Sequence, residues 1–162
     1  MKYQAAVLTI SDKGALGLRQ DTSGPAITTA LTDLHIEVHA ALILPDERDL
    51  VAMQLRSWAM NDKFDLVITT GGTGPSPRDW TPEATRDVID REMPGLAEIL
   101  RAEGAKKTPM AVLSRGIAGL CGRCLIINLP GSTNAVREGM EILAPVLPHA
   151  LQMARGENTE HQ

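Results

Sequence analysis

Two aspartates that follow apolar segments are the residues of this chain best suited to hold a metal ion. Asp46 comes directly after LILP, and Asp79 lies in the segment PRDW. Mg²⁺ is usually held by one or two carboxylates together with substrate phosphate oxygens, so such a pair suits phosphate chemistry. Structural roles stay open for both residues. Asp46 could cap the helix that follows it, and Asp79 could support the N-terminus of a helix beginning at Thr81.

A glycine-rich loop, TTGGTGPSP at residues 69–77, precedes Asp79. Glycines let the backbone approach a ligand closely and adopt positive φ, and successive amides in such a turn can bind an anion. The loop is not a Walker A sequence, because no Gly-Lys-Ser or Gly-Lys-Thr follows, and it does not match G-x-G-x-x-G. The pattern therefore fits a phosphate site and a plain tight turn equally well. Its candidate ligand-binding residues are Thr70, Gly71, Gly72, Thr73 and Gly74.

Arg78, the neighbour of Asp79, could clamp a phosphate with two parallel hydrogen bonds. Asp79 would repel the same phosphate unless a divalent cation lay between them, which supports the metal interpretation. The alternative is an ion pair between these two side chains at the surface.

Other polar residues that could contact an anion lie at the ends of further apolar segments. Taken alone, Ser114-Arg115-Gly116 and Pro130-Gly131-Ser132 fit an ordinary turn better than an anion contact. Because ligands of α/β proteins bind beyond the carboxyl ends of the strands, we expect these residues to converge on one edge of a sheet. In addition to Ser114-Arg115-Gly116, the candidates are Ser11, Asp12, Asn128, Pro130, Gly131 and Ser132.

Short apolar segments alternate with segments of helical spacing, which predicts βαβ units and a mainly parallel sheet covered on both faces. Residues 1–156 are expected to form one domain, followed by a frayed tail at 157–162. Strands are predicted at 5–10, 35–44, 65–70 and from 124 to a turn at 130–132. Helices are predicted at 25–34, at 50–60, from an N-cap at Thr81 toward Arg91, at 95–104 and at 134–156, the last broken near Pro145 and Pro148.

Composition narrows the class of protein. Aromatic residues make up only 2% of the 162 residues, which predicts an aliphatic core and argues against a stacking platform for single-stranded nucleic acid. The net charge of −4 and the lack of a Lys/Arg run argue against a general nucleic-acid binder. No segment reaches the roughly 18 apolar residues of a membrane span, and the N-terminus does not fit a signal peptide. We therefore expect a cytoplasmic protein.

The chain has two cysteines, which form the C-x-x-C motif CGRC at residues 121–124. A redox pair of the thioredoxin type is expected at the start of a helix, whereas this motif precedes a predicted strand. A zinc site needs about four ligands, and no second pair is present. We interpret both thiols as structural or incidental.

Six segments, in this order, resemble the MogA/MoaB family of molybdenum-cofactor biosynthesis. They are TISDKGALGLRQDTSGP, LPDE, TTGGTGPSPRDWTPEAT, REMPG, LSRGIAG and LIINLPGSTNAV, and the similarity extends over residues 5–155. Within this family the sequence is most similar to the molybdopterin adenylyltransferases, including the G domains of the plant enzyme and of gephyrin. The combination of GGTG-x-x-x-RD-x-TPEAT with LPG is far more specific than the glycine loop alone.

The resemblance implies a Rossmann-like, MogA-like three-layer α/β/α fold, a homotrimer, and transfer of AMP from Mg-ATP to the terminal phosphate of molybdopterin with release of pyrophosphate. Asp46 and Asp79 would be the catalytic acids and would hold Mg²⁺. The glycine loop would cradle phosphate, and a downstream molybdate-insertion protein would be a further partner. The alternative is a member of the family that binds molybdopterin or acts as a scaffold without efficient catalysis. Residues implied to line the pterin or nucleotide pocket are Ser114, Asn128, Pro130 and Gly131.

Overall fold

A six-stranded sheet in the order β2-β1-β3-β6-β5-β4 forms the centre of the computed structural model, which describes residues 2–157. The strands are β1 (Tyr3–Ile10), β2 (Ile36–Leu44), β3 (Leu66–Thr70), β4 (Arg91–Glu92), β5 (Ala118–Cys121) and β6 (Cys124–Leu129). The helices are α1 (Asp12–Ala15), α2 (Ser23–Asp33), α3 (Arg48–Met60), α4 (Thr81–Arg86), α5 (Pro94–Ala105), α6 (Thr133–Leu143) and α7 (Leu147–Ala154), with a short 3-10 helix at Pro109–Leu113.

The sheet is mainly parallel, as predicted. Strands β2, β1, β3 and β6 run parallel to one another, whereas β5 is antiparallel to β6 and β4 is antiparallel to β5. Val7 of β1 aligns with Ile68 of β3, which aligns with Ile127 of β6. The three central strands therefore end at the same edge of the sheet.

Two hydrophobic cores lie on opposite faces of this sheet. Successive side chains of a strand point to opposite faces, so Val7 packs in one core and Leu8 in the other. Helices α2, α6 and α7 cover the face of Val7, and α3 and α4 cover the face of Leu8. This arrangement confirms the three-layer α/β/α fold, and it explains why the central strands are apolar on both sides.

Several predicted boundaries were wrong. Thr81 is not the N-cap of α4, because the helix begins at Thr81 and its N-cap is Trp80. The helix ends at Arg86 rather than near Arg91, which pairs with β5 instead. Residues 11–24, to which no strand or helix was assigned from the sequence, contain α1 and the first residues of α2. Most of the tail predicted to fray, residues 158–162, lies outside the described residues.

The C-terminal helical segment is broken as predicted. Helix α6 ends at Leu143 and α7 begins at Leu147, with Pro145 between them and Pro148 in the first turn of α7. Proline lacks the backbone N–H and fits only the first turn of a helix, which accounts for both positions. None of the helices within residues 2–157 is long and apolar enough to cross a membrane.

The motif CGRC forms the two-residue turn between β5 and β6. Cys121 and Cys124 lie opposite each other on the two strands, and both are buried free thiols. Gly122 has a φ of 59°, a conformation that glycine adopts without strain. The pair does not stand at the start of a helix, and the part of the chain described here holds no group of three or more His, Cys, Asp or Glu side chains that could bind a metal.

Candidate active site

The glycine loop, the LPG segment (residues 129–131) and the segment between β1 and α2 meet at the carboxyl ends of β1, β3 and β6, as expected from the sequence. The Gly71 amide donates a hydrogen bond to the Leu129 carbonyl at 3.2 Å. The Thr70 hydroxyl donates to the Pro130 carbonyl at 2.7 Å. These two bonds join the end of β3 to the end of β6 and fix where the glycine loop begins.

Gly71 and Gly72 have backbone conformations that favour glycine, with φ of 96° and 66°. A Cβ atom at Gly71 would collide with the carbonyl oxygen of Ile10, which belongs to the backbone and cannot rotate away. Gly71 is therefore needed for the loop to pass this close to the end of β1.

Asp46 lies just beyond the end of β2 and is 6% exposed. Its amide donates to Asp12 Oδ1 at 3.0 Å, and its own Oδ1 accepts a hydrogen bond from the Trp80 amide at 3.1 Å. Helix α3 begins at Arg48 with Glu47 as its N-cap, so Asp46 does not cap this helix. The carboxylate is instead directed toward the segment that carries Asp79.

Burial raises the pKa of Asp46 from 3.8 to about 6. The hydrogen bond from the Trp80 amide opposes this increase in pKa, whereas the negative charges of Asp79 and Asp12 add to it and the positive charge of Arg78 opposes it. A carboxylate that is buried beside two other carboxylates is stabilised by any cation that binds next to it.

The Asp79 carboxylate is oriented by its own loop. Its Oδ2 atom accepts a hydrogen bond from the Ser76 amide at 3.1 Å, rather than from amides of α4. A Cβ atom at Gly74 would lie 2.8 Å from Asp79 Oδ2, so glycine leaves the space that this carboxylate occupies. The expected role of Asp79 in supporting the N-terminus of α4 is therefore not seen.

The Thr81 hydroxyl oxygen is buried without a hydrogen-bond partner among residues 2–157. A Cβ atom at Gly72 would collide with this oxygen and would lie 2.6 Å from Asp46 Oδ2, so the two oxygens border the same small space. Oxygen ligands of this kind suit a hard cation such as Mg²⁺, which also takes oxygens from substrate and water. The residues present therefore fit the metal that the sequence predicted.

Arg78 pairs with Asp12 and not with its neighbour Asp79, so the predicted pair between Arg78 and Asp79 was wrong. Its Nε and Nη2 atoms lie 3.1 and 2.9 Å from the two Asp12 carboxylate oxygens, and Nη2 lies 3.3 Å from Glu47 Oε1. These side chains are 40 to 57% exposed, and exposed ion pairs contribute little to stability. Contact of Arg78 with a phosphate stays a prediction that requires this pair to open.

Two cavities lie on either side of the glycine loop. The first has a volume of about 360 Å³ and an aliphatic wall from α5 and α6, and the second has a volume of about 500 Å³ and a polar lining. Of the predicted site residues, Thr73, Gly74, Ser114, Asn128 and Pro130 line the first, Ser11, Thr70, Gly71 and Gly72 line the second, and Gly131 and Ser132 border both.

Several residues predicted to contact a ligand already use their polar groups in hydrogen bonds within the protein. Asn128 is 3% exposed, accepts from the Ile117 amide at 3.1 Å, and donates to Thr69 and Thr85 hydroxyls at 3.0 and 2.9 Å. Ser132 caps α6, since its hydroxyl accepts from the Ala135 amide. In the same way Ser11 caps α1, and the Ser114 hydroxyl accepts from the Gly116 amide. Contact of these residues with a ligand stays a prediction.

Sequence reasoning missed two groups that shape the site. The hydroxyl of Ser23, the first residue of α2, donates a hydrogen bond to the Gly131 carbonyl at 2.8 Å. This bond joins the start of α2 to the LPG segment. Asp21 accepts hydrogen bonds from the Ser23 and Gly24 amides, and it also accepts one from the Thr9 hydroxyl at 2.7 Å. The second group is the pair of Arg115 and Glu83. Asp21, Ser23, Glu83 and Arg115 lie within the six segments that carry the family resemblance. Their place in these segments was the signal by which the sequence could have identified them.

Comparisons with known proteins agree with this fold. A molybdopterin adenylyltransferase of Helicobacter pylori J99 is 40% identical over 153 residues, which are 93% of this chain and 86% of that protein. The molybdenum cofactor synthesis protein cinnamon of Drosophila melanogaster is 41% identical over 91% of this chain, which spans 25% of that longer protein. The solved structure of the molybdopterin biosynthesis enzyme MoaB of Thermus thermophilus is 52% identical, with a TM-score of 0.91 over 96% of this chain and 98% of that chain.

A family match covers most of the fold described above. Residues 6–149 match the family described as probable molybdopterin binding domain. This range contains all six strands except the first residues of β1, both cavities, and both aspartates of the site. The chain belongs to this molybdopterin-binding family, in which the sequence had already suggested a MogA/MoaB member.

Proposed function

We propose that this protein acts in molybdenum cofactor biosynthesis as a molybdopterin adenylyltransferase. The observation that carries the proposal is the link between the two aspartates: the residue after Asp79, Trp80, donates its amide hydrogen to the carboxylate of Asp46. This places two acids beside a glycine loop that separates two cavities. The relative in Helicobacter pylori named for this activity matches over most of both chains.

Two substrates must meet for this reaction, and the two cavities provide room for both. An oxygen of the terminal phosphate of molybdopterin would attack the α-phosphorus of ATP, the bond from that phosphorus to the bridging oxygen would break, and pyrophosphate would leave with the electron pair. Such transfers depend mainly on positioning and on neutralisation of charge. The amides of residues 72–74 would contact the reacting phosphates between the two cavities.

Asp46 and Asp79 would hold the Mg²⁺ that accompanies ATP. The ion would supply positive charge against the phosphate oxygens. Asp46 has a pKa of about 6, so it is mainly ionised at neutral pH and available as a ligand. Arg78 would exchange its pairing with Asp12 for a phosphate oxygen, and its exposure permits that exchange.

The proposal includes a homotrimer and a later molybdate-insertion protein as partners, both of which rest on the resemblance to the family. Analytical ultracentrifugation of the purified protein tests the first directly. A sedimenting mass of three chains is the expected result, and a monomer would contradict this part of the proposal.

The central experiment measures pyrophosphate release from Mg-ATP, with and without molybdopterin, for the wild type and Asp79→Asn. We expect release that requires molybdopterin and falls by about 100-fold or more in the variant, the usual consequence of losing one preorganised charged group in an active site. Asp33→Asn, at the exposed end of α2, is the matched control and should keep the wild-type rate.

Two outcomes would contradict the proposal. Release from Asp79→Asn at the wild-type rate would refute the role assigned to this carboxylate. Binding of molybdopterin by the wild type with no pyrophosphate released would refute the reaction and support a protein that binds molybdopterin without catalysis.

A further inference from the structure

Arg115 lies between the 3-10 helix and β5, and its guanidinium is directed at the glycine loop. Its Nε atom donates to the Gly74 carbonyl at 2.9 Å, and its Nη2 atom donates to the Asp79 carbonyl at 2.7 Å. Its Nη1 atom pairs with the Glu83 carboxylate. Although Ser114 and Gly116 on either side contribute to the first cavity, the donors of Arg115 are engaged by the protein itself.

These contacts hold both ends of one segment. Gly74 and Asp79 are the first and last residues of segment 74–79, which carries the candidate metal ligand. The Arg115 amide adds a hydrogen bond to the Thr73 carbonyl at 2.8 Å, just before the segment. Inside the segment, Ser76 and Asp79 bond to each other through the Ser76 amide and carbonyl. Apart from the exposed pairing of the Arg78 side chain with Asp12 and Glu47, Arg115 therefore supplies the long-range attachment of this segment.

Glu83 fixes the guanidinium from the other side. It belongs to the first turn of α4, and its side chain is 24% exposed. Burial of Glu83 opposes its ionisation, but the hydrogen bonds from Arg115 hold the pKa of this carboxyl below its ordinary value. Arginine has five N–H donors in a planar fork, whereas lysine is a single point charge. Lysine at position 115 would keep the charge but could not hold two carbonyls and a carboxylate together.

We infer that Arg115 is a positioning residue that acts through Asp79: by holding the backbone at both ends of segment 74–79, it sets the place of the Asp79 carboxylate beside Asp46. The sequence suggested Arg115 as a direct contact for an anion, and the engaged donors argue against that role. The inference rests on the proposed function for its kinetic consequence, but its structural consequence can be measured without any substrate.

The test compares Arg115→Lys with Arg155→Lys. Arg155 is a matched control, because it also holds a carboxylate and a backbone carbonyl, those of Asp65 and Lys2, at a distance from the site. Hydrogen exchange followed by mass spectrometry reports on the segment directly. In Arg115→Lys we expect at least about tenfold faster exchange of the Ser76 and Asp79 amides, which corresponds to about 1.4 kcal/mol. In Arg155→Lys their exchange should be unchanged. Equal exchange in Arg115→Lys and wild type would overturn the inference.

The kinetic test uses a double variant. Arg115→Lys should lower kcat for pyrophosphate release by about 10- to 100-fold, the range expected when a reacting group is misplaced by about 1 Å. The KM for molybdopterin should stay nearly constant. In the Asp79→Asn background the same change should cause no further loss, because the group it positions is already gone. If the two substitutions lowered kcat by independent factors that multiply in the double variant, the inference would be overturned. If the wild type releases no pyrophosphate, the proposed function fails, and hydrogen exchange still decides the role of Arg115.

Discussion

Replacement of Asp46 by Asn should stabilise the folded protein at neutral pH while it removes activity. Burial raises the pKa of the Asp46 carboxyl from 3.8 to about 6, so the ionised form is less favourable in the folded than in the unfolded chain. A difference of about 2 pKa units corresponds to about 3 kcal/mol at most. Asn keeps an oxygen that can accept the Trp80 hydrogen bond. We therefore expect a gain of about 1 to 3 kcal/mol in the free energy of unfolding at pH 8.

The direction of the pH dependence follows from the raised pKa of Asp46. Between pH 3.8 and about 6 the folded wild type binds a proton that the unfolded chain has already released. The free energy of unfolding contributed by this group therefore falls as pH rises through that window. The difference between Asp46→Asn and the wild type should be close to zero near pH 4, should grow up to about pH 7, and should then stay constant.

Urea unfolding at pH 4, 5, 6 and 8 measures this difference, at one protein concentration because association of subunits adds to apparent stability. Asp65→Asn is a control for which we expect the opposite change in the free energy of unfolding. Burial opposes ionisation of Asp65, but its hydrogen bonds with Arg155 and the Gln4 amide hold its pKa below the ordinary value. Its stabilisation is present above pH 3.8 and is lost as pH falls further. Loss of stability in Asp46→Asn at pH 8, or a difference independent of pH, would refute the reasoning.

Two further substitutions test the geometry around the glycine loop. Gly71→Ala should unfold at a markedly lower temperature, because its φ of 96° and the Ile10 carbonyl leave no room for a Cβ atom; an unchanged melting temperature would contradict the described backbone. Thr81→Val removes the buried hydroxyl without a partner, so stability should rise by about 1 kcal/mol, while the Mg²⁺ concentration needed for half-maximal pyrophosphate release should increase. A fall in stability would show that the hydroxyl is satisfied in the free protein.

The central strands could be predicted from the sequence because burial on both faces imposes a purely apolar pattern. Strand β3 is buried at every residue, and so is the segment AAVLTI of β1. The antiparallel strands β4 and β5 were missed for a physical reason. They have two and four residues, too few to show a period, and β4 consists of two exposed charged residues. Strand β5 pairs with β6 and β4 pairs with β5, and such pairing between strands is not recorded in a local pattern.

The residues of the candidate site could be predicted from the sequence, but the contacts that these residues make with one another could not. The strand ends converge because parallel strands finish at one edge. In contrast, Arg78 finds its partner Asp12 across 66 residues of sequence, and Arg115 reaches Gly74 across 41. The error at Thr81 has a similar cause. A local rule makes threonine before proline an N-cap, but the Trp80 amide is held by Asp46, and the helix begins one residue later than Trp80.

Three unusual features of this structure lie around one residue, Gly72. Next to it lie the Asp46 carboxylate, which burial makes hard to ionise, and the Thr81 hydroxyl, which has no partner in the described chain. Gly72 itself has positive φ. A plain tight turn requires only the last of these, since a turn gains nothing from a buried carboxylate or an unsatisfied oxygen. Local rules are expected to fail at sites shaped for a ligand, and a cation bound between the two oxygens would relieve both costs at once. The clustering therefore favours the phosphate and metal interpretation of the loop over the plain turn that the sequence had left equally open.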